Sequence, residues 1–339
     1  PALASTLTAS RAADPTMTDQ PVWQPSASRE HLKSRAQQLA WVRGFFAERG
    51  VLEVETPVLG RHGVTDINLD GIAAAVNAAG VSGGWLQTSP EYHMKRLLAA
   101  GSGCIYQIAR VFRNGERGSR HNPEFSLLEW YRVGLDDTAM MAEVADLVCG
   151  WLGCDRPDVL TYREAQQTLA GIDPMAITDH DLYQYCQQWL EPEQLAGMGR
   201  DDCLDLVMSF KVEPLLGRGR PVFITRYPAS QAALARVVSD DDGYPVAHRF
   251  ELYIDGLELC NGYWELTDPV EQRARFEQDN RRRKAAGKPE MAVDQSFLAA
   301  LDAGLPECSG VALGLDRLLM LKTGAERIED VLAFPVERA

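Results

Sequence analysis

From Ile105 to Arg132 the chain reads IYQIARVFRNGERGSRHNPEFSLLEWYR, two runs of alternating apolar and polar positions around a polar loop. This pattern predicts strand, loop, strand. Successive strand side chains point to opposite faces, so Phe125, Leu127, Glu129 and Tyr131 share one side. Glu129 is thus a carboxylate on a strand otherwise full of Leu, Trp and Phe. Burying it unpaired would cost several kcal/mol, so a cationic partner is expected above that face. For one isolated hairpin, an ordinary structural Arg–Glu pair would satisfy the same demand.

Upstream, Leu32, Ala36, Leu39, Val42 and Phe46 recur at three- and four-residue spacing, predicting one apolar helical stripe that begins near Ser28. Glu30 near its start and Gly50 after its end suit helix termini. VLEVETPVL follows as a short strand closed by Pro57. In GWLQTSPEYHMKRLLAA a strand runs into a helix, with Ser89 placed to cap it and Pro90 at its first position. Glu91 is either a first-turn acid favoured by the helix dipole or a ligand-facing acid. Residues 136–215 lose the strand alternation and predict a small helical insertion, with segments around 138–151, 162–170, 179–190 and 202–213.

In RFELYIDGLELCNGYWEL, Asp255-Gly256 between two alternating runs is a strong hairpin signal. A two-residue turn would pair Ile254 with Leu257, Tyr253 with Glu258, and Glu251 with Cys260. Glu251 and Glu258 would then lie diagonally on one side with β-carbons about 7 Å apart, suited to a hard cation. A bulge at Asn261-Gly262 would bring Glu265 onto the face of Glu258. Residues 268–286 predict a helix ending in Arg281, Arg282, Arg283 and Lys284, read as a solvated face, with a docking patch as the alternative. SGVALGLDRLLML reads as a buried strand, a turn and a helix starting at Asp316. Arg317 falls in its first turn, where free N–H groups and the dipole favour an anion. Gly314 would let a flat ligand approach the strand closely.

Composition narrows the classes. The 339 residues are 45% hydrophobic, enough for one large domain or two ordinary ones. A net charge of −14 argues against a broad basic surface for nucleic acid. Seven cysteines without a CxxC pair suggest reduced thiols and a cytoplasmic protein rather than a disulfide or zinc framework. No apolar run approaches a membrane span. Residues 1–20 are Ala/Ser/Thr-rich and without periodicity, so 1–22 is expected to be a disordered tail, with Met17 as an alternative native start. The tail lacks the apolar core of a signal peptide.

LEVETPVL, FRNGERGSRHNPEFSLLEWYR and GVALGLDRLLML resemble motifs 1, 2 and 3 of the class II aminoacyl-tRNA synthetases, and TSPEYHMKRLL and ELCNGYWELTDP resemble the lysyl branch. The resemblance runs from Trp23 to the C-terminus. Lysyl-tRNA synthetases carry an anticodon-reading OB-fold before this region, where only a short tail is expected here. WQPSAS, PEYHMKRLL, HNPEFSLLEWYR, RFEQDNRRR and CSGVALGLDRLLML look closer to a bacterial family of lysyl-tRNA synthetase paralogues that modifies elongation factor P. That resemblance implies an α+β fold, a mainly antiparallel sheet flanked by helices, as one catalytic domain over 23–339 containing the helical insertion. It implies activation of (R)-β-lysine or lysine with ATP and Mg²⁺, and transfer to a lysine side chain on elongation factor P. It also implies a homodimer through motif 1, and no productive tRNA binding. A truncated lysyl-tRNA synthetase charging tRNA and a non-catalytic regulatory paralogue are the alternatives.

Position by position, the resemblance implies that Arg113 holds the α-phosphate and the substrate carboxylate. Asn114, Gly115, Arg120, His121 and Asn122 belong to a loop closing over ATP, and Phe125 stacks on adenine. Glu251 and Glu258 bind Mg²⁺, the backbone of Leu259 and Gly314 lies beside the nucleotide, and Arg317 grips the γ-phosphate. Ser89, Pro90 and Glu91 line the amino-acid pocket, and Glu129, Tyr131, Asn261 and Glu265 complete it around ammonium groups. Two positions depart from the family pattern. Gly115 takes an acidic position and Glu116 follows, which implies a re-registered loop. Ala312 stands where lysyl synthetases commonly have Gly, and its methyl is expected to help shift preference from α-lysine to a β-amino isomer.

Overall fold

A computed structural model describes residues 23–78 and 81–339; the expected tail, 1–22, lies outside the described residues. The chain forms two compact units, one holding residues up to Leu135 and from Leu266 onward, the other Asp136–Glu265. The second extends past the expected 136–215 insertion to take in the strands that follow it.

The first unit opens with α1 (Arg29–Glu48), capped by Ser28, whose side chain accepts from His31 N. Its buried residues are Gln38, Val42, Phe45 and Phe46, whereas Leu32 of the expected stripe is exposed. The buried face is therefore turned from the one predicted. Gln38 shares that face because its Nε2 donates to Leu315 O at 2.9 Å. Strands β1 (Leu52–Glu53) and β2 (Leu59–Gly60) are short. β3 (Ile72–Ala78) and β4 (Val81–Leu86) form a small sheet with β2, in the order β2-β4-β3. Helix α2 (Glu91–Ala99) precedes β5 (Ile105–Phe112) and β6 (Glu124–Val133), the predicted antiparallel pair.

In the second unit, α3 (Asp137–Leu152) leads to β7 (Asp158–Thr161). Four short helices follow: α4 (Tyr162–Ala165), α5 (Asp179–Cys186), α6 (Pro192–Leu195) and α7 (Arg200–Val207). Strands β8 (Val222–Pro228), β9 (Val237–Ser239), β10 (Pro245–Ile254) and β11 (Leu257–Trp264) complete it. Strand β7, pairing parallel with β8, was not predicted, because four residues are too few to display a period. Tyr162, Leu182, Leu204, Val207, Ile224 and Tyr253 sit in this unit's core.

The chain returns to the first unit through α8 (Pro269–Ala285), α9 (Gln295–Gly304), β12 (Cys308–Gly314) and α10 (Leu315–Thr323). Strands of the first unit run β1-β5-β6-β12, with β1 parallel to β5 and the remaining pairs antiparallel. One face of β6 packs on α1, with Phe46 stacked on Tyr106 at 4.4 Å and edge-on to Trp130 at 5.4 Å. The other face carries Glu129. In the basic run of α8, Arg283 is buried, with Nε on Pro289 O at 2.9 Å and Nη1 on Asp66 O at 3.0 Å. Among the described residues no helix is long and apolar enough to cross a membrane.

The β10–β11 hairpin turns at Asp255 and Gly256, both with positive φ (51° and 72°), the backbone required by the predicted two-residue turn. Register is as expected for Tyr253 opposite Glu258, but Leu252 then faces Cys260 and Glu251 faces Asn261. Leu259 is the extra residue. The bulge thus lies before Asn261-Gly262, not at it, and alternation from there puts Glu258, Asn261, Tyr263 and Glu265 on one face. Gly262 faces Phe250 so closely that an added Cβ would stand 2.2 Å from the ring. Gly262→Ala is expected to cost about 1–3 kcal/mol through overpacking, read as a lower thermal unfolding midpoint.

Candidate active site

Glu129 is 2% exposed, and both its oxygens accept short hydrogen bonds. Ser89 Oγ donates to Oε2 at 2.6 Å and Tyr131 OH to Oε1 at 2.7 Å. Tyr131 reaches it because the two are neighbours on one face of β6. Ala312 of β12 stands directly opposite Glu129, with Gln107 of β5 on the other side. The expected cation is Lys95, 1% exposed, whose Nζ donates to Glu91 Oε1 at 2.6 Å. Burial first, and then the Glu91 charge, push the Glu129 carboxyl up to about 8, with the two hydroxyls and Lys95 opposing. Ser89 stands one position before the cap, which is Pro90, and the cap itself makes no side-chain hydrogen bond. Ser89 Oγ accepts from Glu91 N at 3.0 Å, and Pro90 sits just before the helix instead of within it. The Glu91–Lys95 pair could have been found from its four-residue spacing on a helix.

The motif 2 loop joins β5 to β6. Arg113 N donates to Pro123 O at 2.9 Å and Asn114 N to Asp70 O at 2.7 Å, fixing the loop's ends. The Arg113 guanidinium lies 5.0 Å from the Phe125 ring centre, 3.6 Å from Glu116 Oε1, and its buried Nε has no hydrogen-bond partner among the described residues. Gly115 adopts φ +78°, a left-handed turn that delivers Glu116 to Arg113 one residue later than the family's acid. Phe125, expected to stack on adenine, carries the Arg113 guanidinium on its ring in this state.

His121 Nε2 accepts from Arg317 Nη2 at 2.8 Å, which needs a neutral ring. Burial and the neighbouring Arg317 and Arg113 hold that imidazole down at about 4. Arg317 follows Asp316 on α10, and Asp316 is 1% exposed, accepting from Ser126 N at 2.7 Å and from the Arg35 guanidinium. Asp316 therefore fixes α10 against β6 and α1, setting where Arg317 emerges. An added Cβ on Gly314 would meet only the Arg317 side chain at 3.7 Å or beyond, so the strand end is open.

Asn122 has both ends of its amide engaged, donating to Glu124 O at 2.6 Å and accepting from Val336 N at 3.1 Å. This ties the loop to the C-terminal segment, as do Ile328 N on Ser119 O at 2.7 Å and Arg117 on Glu337 at 2.5 Å. Arg120 is exposed beyond these anchors.

In the second unit, Glu251 corrects the expectation of a two-carboxylate Mg²⁺ site. It is 6% exposed, and Tyr227 OH and Tyr253 OH each donate to Oε2 at 2.6 Å while the Arg249 guanidinium holds Oε1. Burial alone would raise its pKa; Arg249 and the two hydroxyls reverse that and hold it below the usual carboxylate range. A carboxylate so engaged does not fit a cation held between it and Glu258. Among the described residues no cluster of three or more acidic, His or Cys side chains is arranged for a metal. Asn261 Oδ1 is buried without a hydrogen-bond partner among the described residues, an acceptor suited to an N–H donor. Glu265 is 1% exposed on the same strand face, and the bulged Leu259 leaves its backbone outside the regular ladder.

Comparison with known proteins gives the family. The model for class II tRNA synthetases (D, K and N) matches residues 22–338. A protein of Proteus mirabilis (strain HI4320) named elongation factor P–(R)-β-lysine ligase is 51% identical over 94% of this chain and 98% of its own length. Proteins of the same name from Sodalis glossinidius and Edwardsiella ictaluri are 49% and 48% identical over 95% of this chain and all of theirs. The chain belongs to the class II tRNA synthetase family.

Proposed function

We propose that the protein uses ATP to activate (R)-β-lysine, or lysine, as an aminoacyl-adenylate and transfers the acyl group to the ε-amine of a lysine on elongation factor P. The observation that carries this reading is Glu129, a buried acid framed by the Ser89 and Tyr131 hydroxyls on a strand entered from the motif 2 loop. A substrate ammonium would pair with this carboxylate once the carboxyl has released its proton. Full-length relatives named for this ligation support the substrate.

In the first step a substrate carboxylate oxygen attacks the α-phosphorus of ATP, and the bond to pyrophosphate breaks. Arg113 would stabilise charge on the α-phosphate, with its orphaned Nε–H available to an oxygen. Arg317, oriented by neutral His121 at the start of α10, would hold the far end of the triphosphate. In the second step the neutral amine attacks the acyl carbon, the acyl C–O bond breaks so that AMP leaves with the bridging anhydride oxygen, and the amine's proton passes to solvent. Mg²⁺ bound to the triphosphate would supply charge neutralisation, and Glu258 is the carboxylate of the expected pair still suited to meet it. Leu32, Trp41, Leu52 and Leu59 of the motif 1 region are exposed, which supports a homodimer. A reaction on elongation factor P would place the protein in the cytoplasm.

Intact mass of purified elongation factor P after incubation with enzyme, ATP, Mg²⁺ and each lysine isomer tests the reading. Gain of one lysyl residue is expected. An unchanged factor alongside charged tRNA would overturn it. Ala312→Gly removes a methyl opposite Glu129 and should raise α-lysine adenylation relative to β-lysine by about 10-fold or more, since such volume changes carry about 1–3 kcal/mol. The ratio of the two exchange rates reads this directly.

A further inference from the structure

The basic run that closes α8 has no part in the chemistry just described. Arg281, Arg282 and Lys284 are exposed, as a solvated face should be, but Arg283 is 4% exposed. A guanidinium is costly to bury unless its N–H groups find acceptors. Here the acceptors are main-chain carbonyls, Pro289 O at 2.9 Å from Nε and Asp66 O at 3.0 Å from Nη1. Lys288, just past the helix, donates from Nζ to Ile67 O at 2.8 Å and meets the Asp70 carboxylate at 3.2 Å. Thr65 Oγ1 donates to Asp279 Oδ2 at 2.8 Å, and the Asn280 amide bonds both the N–H and the carbonyl of Met291. The last turns of α8 therefore grip two irregular segments, 65–70 and 288–291.

The first of these segments ends against the motif 2 loop. Asp70 O accepts from Asn114 N at 2.7 Å, one residue after Arg113. Close packing does not back the loop at this point. A cavity of about 140 Å³ lies beside Asn114, with Leu69, Asp70, Trp85, Arg283 and Met291 among its walls. With space there in place of side chains, the start of the loop stands where Asp70 holds it. We propose that Arg283 and Lys288 are positioning residues for the motif 2 loop: they fix the 66–70 main chain, whose Asp70 carbonyl fixes Asn114 and the adjoining Arg113. Control from such a distance matters because a reacting group displaced by about 1 Å can lose on the order of a hundredfold in rate. The inference rests on the proposed function for what Arg113 does to ATP, but the clamp itself is a property of the ligand-free protein.

The test compares full-length wild type with Arg283→Met, Arg283→Lys and Lys288→Met, by amide hydrogen exchange and by ATP–pyrophosphate exchange. The Asn114 N–H reports the clamp directly, since it exchanges only when its bond to Asp70 O opens. In Arg283→Met this amide should exchange about tenfold faster or more, while amides paired between β5 and β6 keep wild-type rates. Lys288 is partly exposed, so Lys288→Met leaves the core intact and should speed the same amide about threefold. That variant decides the matter if Arg283→Met does not fold. An Asn114 amide exchanging at the wild-type rate in every folded variant would overturn the proposal, whatever happens to activity.

In ATP–pyrophosphate exchange, Arg283→Met should raise KM for ATP and lower kcat, each about tenfold. KM for the lysine isomer should not move, because Ser89, Glu129 and Tyr131 are bonded to one another and not to the clamp. A purely structural role would reduce the amount of active protein, lowering kcat and leaving both KM values as they were; that result would also overturn the proposal. Arg283→Lys can meet one of the two carbonyls and should fall between wild type and Arg283→Met. A wild type without exchange on any isomer would sink the proposed function instead, leaving the Asn114 amide to decide the role of Arg283 and Lys288.

Discussion

Arg113→Ala is expected to slow ATP–pyrophosphate exchange by about a hundred- to a thousandfold, the usual consequence of removing a preorganised donor from a developing charge. The guanidinium is held over Phe125 and beside Glu116, and its buried Nε has no hydrogen-bond partner among the described residues. Its placement is therefore settled before ligand arrives, while one donor remains open. Arg113→Lys should rescue little, because a single ammonium cannot reproduce the planar fork. The loss should appear in kcat, with the thermal midpoint nearly unchanged, since the loop's ends are fixed by main-chain bonds at Arg113 N and Asn114 N. A variant retaining wild-type kcat would remove Arg113 from the chemistry.

Glu129→Gln should weaken binding of the diamino substrate by about a hundredfold or more, as expected when a buried ammonium loses its ionised partner. The amide keeps the shape and can still meet Ser89 and Tyr131, so the fold should persist. A pH signature accompanies the loss. With its carboxyl held up to about 8, wild-type Glu129 is largely protonated at pH 7 and must release that proton to pair with an ammonium. Affinity should therefore rise from pH 6 to about 8. Calorimetric heats at pH 7 should depend on the buffer's ionisation enthalpy in the wild type and lose that part of the dependence in Glu129→Gln. Equal proton release by both proteins would place the titrating group elsewhere.

What could be read from the chain was local. Glu129 and Tyr131 share a face because the backbone alternates, and Asp255-Gly256 turns the hairpin because that dipeptide accepts two positive φ angles. The features that escaped depend on partners distant in sequence. Glu251 looked like a metal ligand although Arg249 and Tyr253, two residues to either side on the same strand face, already offered it partners. Only Tyr227, which reaches it from another strand, had no local sign. The one-residue bulge at Leu259 leaves no mark on composition, yet it decides that Asn261, not Cys260, stands opposite Glu251. Gln38 misled in the other direction, since its polar side chain hid the buried face of α1 until the Leu315 carbonyl supplied its partner. Gly115 signalled a departure from pattern but not its geometry. The left-handed turn there explains how Glu116 can meet Arg113.

The ties between the motif 2 loop and the C-terminal segment differ in what they demand of the sequence. Ile328 meets Ser119 through main-chain atoms alone, and Val336 offers only its amide N–H to Asn122. These two contacts ask nothing of the side chains that carry them, although Ile328 is itself buried with Val331 and Leu332 and Glu337 meets Arg117 through its carboxylate; removing the last four residues would strip away Val336 and Glu337 together. A shortened tail would therefore free the motif 2 loop at Asn122 and Arg117 at once, even with the buried cluster around Ile328 intact.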